Sequence, residues 1–294
     1  MKADLHIHSY YSSDGTYSPA RLMELCHDAG IRVAALTDHN SARGVEEAQK
    51  RAEELGLCLI PGVELDCVCQ GTALHLLGYG IDPDAEEIRR MEREVLKMEQ
   101  DASAERIRLV KELGIYFDEA DVWEHSWNRV VTAEMIAEAA LKDDRNRENP
   151  MMRPFYPGES RGNNPYVNFY WDICSPGKPA FVPVEYQTFE QAQKLISDVG
   201  GISVIAHPGQ TLGKNVALMS YMAERGVRGM EVYSSYHSPE QVFYYEETAA
   251  SLGLFCTPGS DFHGKTKPSV SLGVMPGMGF DQDVPFLLEM LELG

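Results

Sequence analysis

Apolar positions along the chain alternate between two spacings from the first residues onward. Ala3 to Ile7 is a short apolar run that predicts a strand. Ser18 before Pro19 is an N-cap followed by the favoured first-turn proline. Leu22, Leu25, Cys26 and Ala29 then recur at helical spacing until Gly30 stops the helix. Ile31 to Thr37 predicts a buried strand, Ser41 caps a second helix closed near Gly56, and Leu57 to Ile60 predicts another strand. Val63 to Cys69 and Thr72 to Tyr79 predict a hairpin turning at Gln70-Gly71. Further on, Thr188 caps a helix that ends at Gly200-Gly201, and Ile202 to Ala206 is a strand run. A helix and a strand over Gly229 to Tyr233 follow; Ser238-Pro239 then repeats the cap, and Leu254 to Thr257 is the last clear strand. Repeated β-α units of this length predict an α/β fold, either a parallel barrel or a doubly wound sheet.

The middle of the chain breaks this rhythm. Asp84 to Leu113 is a long charged helical stretch ending at Gly114, and Asp118 and Thr132 cap two shorter helices. Lys142 to Asn168 is rich in Pro, Gly, Asn and Arg and longer than a compact domain keeps without a purpose. Residues 82–178 therefore read as a small, mainly helical insertion with a lid-like loop, carried by a barrel built from 1–81 and 179–294.

Charge narrows the partners. The net charge of −19 disfavours long nucleic acid and anionic membrane surfaces, which demand dense basic patches. It leaves a small phosphorylated substrate open, because divalent cations held by carboxylates invert the local sign. No apolar run reaches about 18 residues, the length of a membrane span. The opening Met1-Lys2-Ala3-Asp4-Leu5-His6 carries acid and imidazole where a signal peptide is apolar, so the expected location is the cytoplasm. The six cysteines form no C-x-x-C pair, which removes support for zinc-finger and thioredoxin readings. Nothing in the pattern sets an oligomeric state.

The candidate chemistry lies in the histidines and their acidic neighbours. His6 and His8 are two apart at a strand end, hence on one face, and Asp14 follows in the loop. His39 follows the second strand, Glu64 the third, His207 a later one, and Asp261 and His263 the last; His75 lies in the hairpin. In a parallel barrel those strand ends open on one face, where active sites are built. A mixed nitrogen and oxygen donor set suits zinc, manganese or iron better than calcium or magnesium. Six histidines and three carboxylates suffice for two or three divalent ions, an arrangement suited to phosphoester hydrolysis.

The segments D-L-H-I-H-S, S-S-D-G, T-D-H-N, P-G-V-E, H-L-L-G-Y, A-H-P-G and G-S-D-F-H-G run in order from Asp4 to Gly264. At these residues the chain resembles the PHP (polymerase and histidinol phosphatase) family of metal-dependent phosphoesterases. The resemblance implies a distorted (β/α)7 TIM-like barrel. It implies one metal on His6, His8, Glu64 and Asp261, a second on Asp14, His39 and His263, and a third sharing Glu64 and adding His75 and His207. Asp14 stands where some family members have His. The layout is most similar to small-molecule phosphatases of the family, which implies a small phosphorylated metabolite (nucleotide, bisphosphate nucleotide or small cyclic phosphodiester) as substrate, with short-RNA exonucleases and histidinol phosphatases as alternatives. Polymerase-associated PHP domains that have lost their metal form a non-enzymatic alternative.

The expected chemistry is in-line attack on phosphorus by a hydroxide bridging the metals, with Glu64, Asp261 and His207 as catalytic residues and His237 as proton donor to the leaving oxygen. Many relatives of this layout carry an R-P-H segment whose arginine holds phosphate; here Thr132-Ala133-Glu134 stands in its place. Arg129, Arg153, Arg161 and Lys178 are the expected substitutes, with Lys265 and Lys267 beside the last motif. The departure equally fits a substrate with another phosphate arrangement, such as a small cyclic phosphodiester.

Overall fold

The structure is a computed structural model and describes residues 2–12, 14–126, 128–275 and 283–291. Its strands are β1 (Ala3–Ile7), β2 (Val33–Leu36), β3 (Cys58–Cys69), β4 (Thr72–Tyr79), β5 (Gln187–Thr188), β6 (Ile202–Ile205), β7 (Gly229–Ser234) and β8 (Phe255–Gly259). Seven of them follow the order β1-β2-β3-β4-β6-β7-β8, and the short β5 adds to β3. The segment after β8 is laced back to β1: Asp261 N donates to His6 O at 2.8 Å and His8 N to Phe262 O at 2.9 Å. The sheet is thereby a nearly closed barrel. Every pairing along it is parallel except the two made by β4, and that reversed strand is the barrel's distortion.

The helices in chain order are α1 (Pro19–Asp28), α2 (Val45–Leu55), α3 (Glu86–Glu112), α4 (Glu119–His125), α5 (Ala133–Lys142), α6 (Pro165–Phe169), α7 (Phe189–Asp198), α8 (Pro208–Thr211), α9 (Val216–Ala223), α10 (Pro239–Leu252) and α11 (Asp283–Met290). Most caps are where the sequence puts them. The Ser18 hydroxyl accepts from Arg21 N, and Thr188 and Ser238 form reciprocal capping boxes with Gln191 and Gln241. Ser41 is an exception. The cap of α2 is Gly44, and the Ser41 hydroxyl instead donates to Glu92 Oε1 at 2.8 Å.

The strands expected over Leu57 to Ile60 and Val63 to Cys69 are one continuous strand, β3. Its first half pairs with β2 and its second half with β4, and Pro61-Gly62 lies at the hand-over. Proline has no N–H to offer a ladder. A Cβ on Gly62 would sit 2.8 Å from Leu36 O, so only glycine lets the two backbones approach this closely.

Two apolar clusters meet along α3. Ile88 and Met91 are buried with the barrel core, whereas Ile107 and Val110 belong to a second cluster with Ile136, Ala140, Phe155 and Phe169. The Lys142 to Asn168 stretch is packed rather than bare. Met152 and Phe155 are buried, and the Asn146 amide donates to Tyr116 O at 2.6 Å and Ala140 O at 2.7 Å. Among the described residues no helix is long and apolar enough to cross a membrane.

Candidate metal centre

His6 and His8 project from β1 and its end, His39 from the turn after β2, and His207 from the turn after β6. Asp261 and His263 follow β8. Glu64 and His75 lie within β3 and β4 and not at strand ends: Glu64 pairs with Leu77 and is bridged to His39 where the β2–β3 pairing ends, and His75 pairs with Asp66 one step beyond the β4–β6 pairing. Two of these positions and a neighbour are backbone-strained: φ is +22° at His207, +58° at Asp261 and +48° at Asn40, next to His39. Hydrogen bonds hold them there, with His207 N donating to Glu231 Oε2 at 3.2 Å and Asn40 N to Glu64 O at 2.7 Å.

The nine residues converge on one pit. Glu64 is wholly buried at its centre and is met by five imidazoles. Its Oε2 lies 3.0 Å from His6 Nε2, 3.2 Å from His8 Nε2 and 3.2 Å from His39 Nδ1. Its Oε1 lies 2.9 Å from His75 Nδ1 and 3.1 Å from His207 Nε2. Asp261 Oδ1 is 3.1 Å from His8 Nε2, and His263 Nε2 is 3.2 Å from Asp14 Oδ2. Donor atoms of three sets lie within 4.8 Å of one another: His6, His8, Glu64 and Asp261; His8, His39 and His263; and His39, Glu64 and His75.

The chemistry of these atoms fits metal ions. His6 Nε2, His8 Nε2, His39 Nδ1, Glu64 Oε2, Asp14 Oδ1, Asp261 Oδ1 and His263 Nε2 are buried and have no hydrogen-bond partner. Leaving so many polar atoms unsatisfied in one place is costly for a fold that satisfies its polar groups elsewhere, and divalent cations are what such a convergent donor set takes. The charges are also strongly coupled. Burial works against an ionised Glu64, yet His6, His39 and His75 hold its carboxyl well below the usual range. Burial likewise opposes an ionised Asp261, and Lys267 and His263 overcome it.

A supporting ring fixes these side chains, and the sequence reading missed most of it. Glu231, a lone acid in the apolar run of β7, sits 2.7 Å from His6 Nδ1. Asp66 Oδ1 is 2.9 Å from His75 Nε2. Asp38 accepts from Ser9 N at 2.6 Å and from the Ser9 and Ser12 hydroxyls at 2.7 and 3.0 Å, tying the β1 and β2 loops together. Burial pushes its carboxyl up to about 6. Lys267 is half-buried: its ammonium donates to Asp261 Oδ2 at 2.5 Å, as does the Tyr236 hydroxyl. The adjacent G-S-D-F-H-G segment was the one available signal for this lysine.

Other sequence candidates lie elsewhere. Arg129 is exposed and stands over the Trp123 ring, 5.7 Å from its centroid. Arg161 forms a two-pronged pair with Asp172, 2.8 Å on each side, and Arg153 is 3.8 Å from Glu159. Lys178 is exposed in a turn. None of the four lines the cavity beside the metal centre. His237 has a different task from the expected proton donor. Its Nδ1 donates to Val232 O at 2.7 Å and its Nε2 accepts from Gly209 N at 3.0 Å, so both ring nitrogens are committed to bracing the A-H-P-G turn. Burial holds this ring below the ordinary imidazole value.

A near-closed α/β barrel with a buried His/Asp/Glu pit at its mouth defines the class: a metal-dependent phosphoesterase. Comparison with known proteins points the same way. The model of the PHP domain family matches residues 4–141 of the chain. It is 27% identical over 270 residues to the 3′,5′-nucleoside bisphosphate phosphatase of Chromobacterium violaceum, covering 88% of this chain and 86% of that one. It is 26% identical over 282 residues to the phosphoribosyl 1,2-cyclic phosphate 1,2-diphosphodiesterase of Eggerthella lenta, covering 95% and 98%. A crystal structure from Bifidobacterium adolescentis described as a metal-dependent phosphoesterase superposes with a TM-score of 0.75 at 25% identity, over 98% of this chain and 96% of that one.

Proposed function

We propose that the protein hydrolyses a small phosphorylated metabolite, a nucleotide, bisphosphate nucleotide or small cyclic phosphodiester, with two or three manganese, zinc or iron ions held by the nine-residue pit. The observation that carries this reading is the set of converging, buried donor atoms around Glu64 and Asp261 that make no hydrogen bond. The pit opens beside a cavity of about 350 Å³ between the Asp14 loop and α5, a size suited to a metabolite rather than a polymer. The net charge of −19 supports the same choice against long nucleic acid.

Divalent ions, when bound, supply Lewis acidity toward phosphoryl oxygens and a nucleophilic water at neutral pH. The chain's own groups do the rest. His6, His8, Glu64 and Asp261 are the closest-set donors, with Asp14, His39, His75, His207 and His263 completing the shell. Glu231 and Asp66 hold His6 and His75 at the angles they need. Lys267, with one oxygen of Asp261 as partner, is the cation placed to meet negative charge on the phosphoryl group. Arg129, Arg153, Arg161 and Lys178 have no part in this reading.

Glu64→Ala is the direct test. It is expected to abolish phosphate release from p-nitrophenyl phosphate and to lower bound metal measured by elemental analysis. A variant that keeps full metal and full turnover overturns the assignment. A phosphate-release screen with manganese across nucleotides, bisphosphates, histidinol phosphate, cyclic phosphodiesters and a short labelled RNA separates the substrate alternatives.

A further inference from the structure

The cavity beside the metal centre has an unusual charge pattern for a phosphate-handling site. One wall is the Asp14 to Thr16 loop, so the cavity adjoins the metal ligands directly. The opposite wall is α5, which presents Glu134, Glu138 and Lys142. Lys265 enters from the segment after β8. Both lysines are already engaged by one acid: Lys142 Nζ is 3.0 Å from Glu138 Oε1 and Lys265 Nζ is 2.9 Å from Glu138 Oε2. Glu134 is half-buried; burial, with the neighbouring Asp14, pushes its carboxyl up to about 7, while Thr132 and Arg106 favour the ionised form that prevails above that value. It stands in the first turn of α5, with Thr132 as the helix cap.

A carboxylate in such a place does two things. It accepts hydrogen bonds, and two oxygens suit a pair of neighbouring hydroxyls. When ionised it also repels a further anion. We propose, resting on the hydrolase reading above, that Glu134 is a specificity-determining residue: it takes the hydroxyls of a sugar-like group that bears the scissile phosphate, and it turns away substrates with a second phosphate in this cavity. The chain's substrate class is then a phosphate ester of a polyhydroxy compound rather than a bisphosphate.

The test uses the manganese-loaded protein with adenosine 5′-monophosphate, its 2′,3′-dideoxy analogue and adenosine 3′,5′-bisphosphate as probes. The wild type is expected to prefer the monophosphate over the dideoxy analogue by about 10- to 100-fold in kcat/KM, the scale of a charge-assisted hydrogen bond. Glu134→Gln is expected to shrink that ratio and to weaken equilibrium binding of adenosine in parallel. Glu134→Arg is expected to shift preference toward the bisphosphate by about tenfold or more. A wild type that does not discriminate, or a ratio that stays within about twofold in Glu134→Gln, overturns this role while leaving the hydrolase reading intact. Failure of the wild type to release phosphate from any ester overturns both.

Discussion

Glu231 and His237 show how little a residue's type says about its task. Both are buried polar groups near the A-H-P-G turn. His237 has each ring nitrogen bound to backbone, so it braces a turn. Glu231 sends Oε2 to both His6 Nδ1 and His207 N, and its Oε1 has no partner. A carboxylate behind a ligating imidazole fixes the ring's tautomer and raises its basicity as a ligand. Glu231→Gln keeps the shape and removes the charge. It is expected to weaken metal affinity about 10- to 100-fold, read by competition with a chromophoric chelator. Unchanged affinity would reduce Glu231 to a packing residue. Neither task was legible in the sequence, where a histidine between a strand and a helix cap looks like chemistry and a glutamate inside an apolar run looks like a misfit. What separates them is which atoms lie within about 3 Å, and that depends on strands far apart in the chain.

Among the elements, those with local signals were the readable ones. The capping boxes of α7 and α10 and the left-handed glycines closing α2 and α10 follow from neighbouring residues, and the structure has them. The ordered motifs put the candidate ligands at strand ends and in the hairpin. The reach of β3 was not readable, because Pro61-Gly62 is an ordinary strand-breaking signal. Tertiary partners decide the matter: β2 pairs one side of that dipeptide and β4 the other. Continuity matters to the site, since Glu64 follows the hand-over by two residues on the same strand. Gly62→Ala is expected to destabilise the protein by about 1–3 kcal/mol, because the new methyl meets Leu36 O and must force a backbone shift. Chemical denaturation would measure it. A variant as stable as the wild type would show that β2 and β3 yield easily at the hand-over.

On the scale of the whole molecule, the metal pit and the fold share one set of charges, and that links stability to pH in opposite senses with and without metal. In the metal-free fold, burial opposes protonated His6 and His75. Their carboxylate neighbours, Glu64 foremost, nevertheless raise both well above the ordinary 6.5. Proton binding at these rings therefore stabilises the fold fully below 6.5, and the contribution is lost as pH climbs through the raised values. Glu64 and Asp261, held well below their ordinary 4.5 and 3.8, stabilise above those values and fail only in acid. The metal-free protein should therefore lose stability from neutral toward alkaline pH. Metal binding instead needs neutral imidazoles and ionised carboxylates, so its affinity rises over the same range. A thousandfold excess of metal over Kd is worth about 4 kcal/mol at any one pH. The melting temperature of chelator-treated protein is accordingly expected to fall between pH 7 and 9 while that of the metal-loaded protein holds, so that the gap between them widens. A gap that narrows with rising pH would mean that these imidazoles and carboxylates do not hold the ions, and the pit would need another occupant to account for its unpaired atoms.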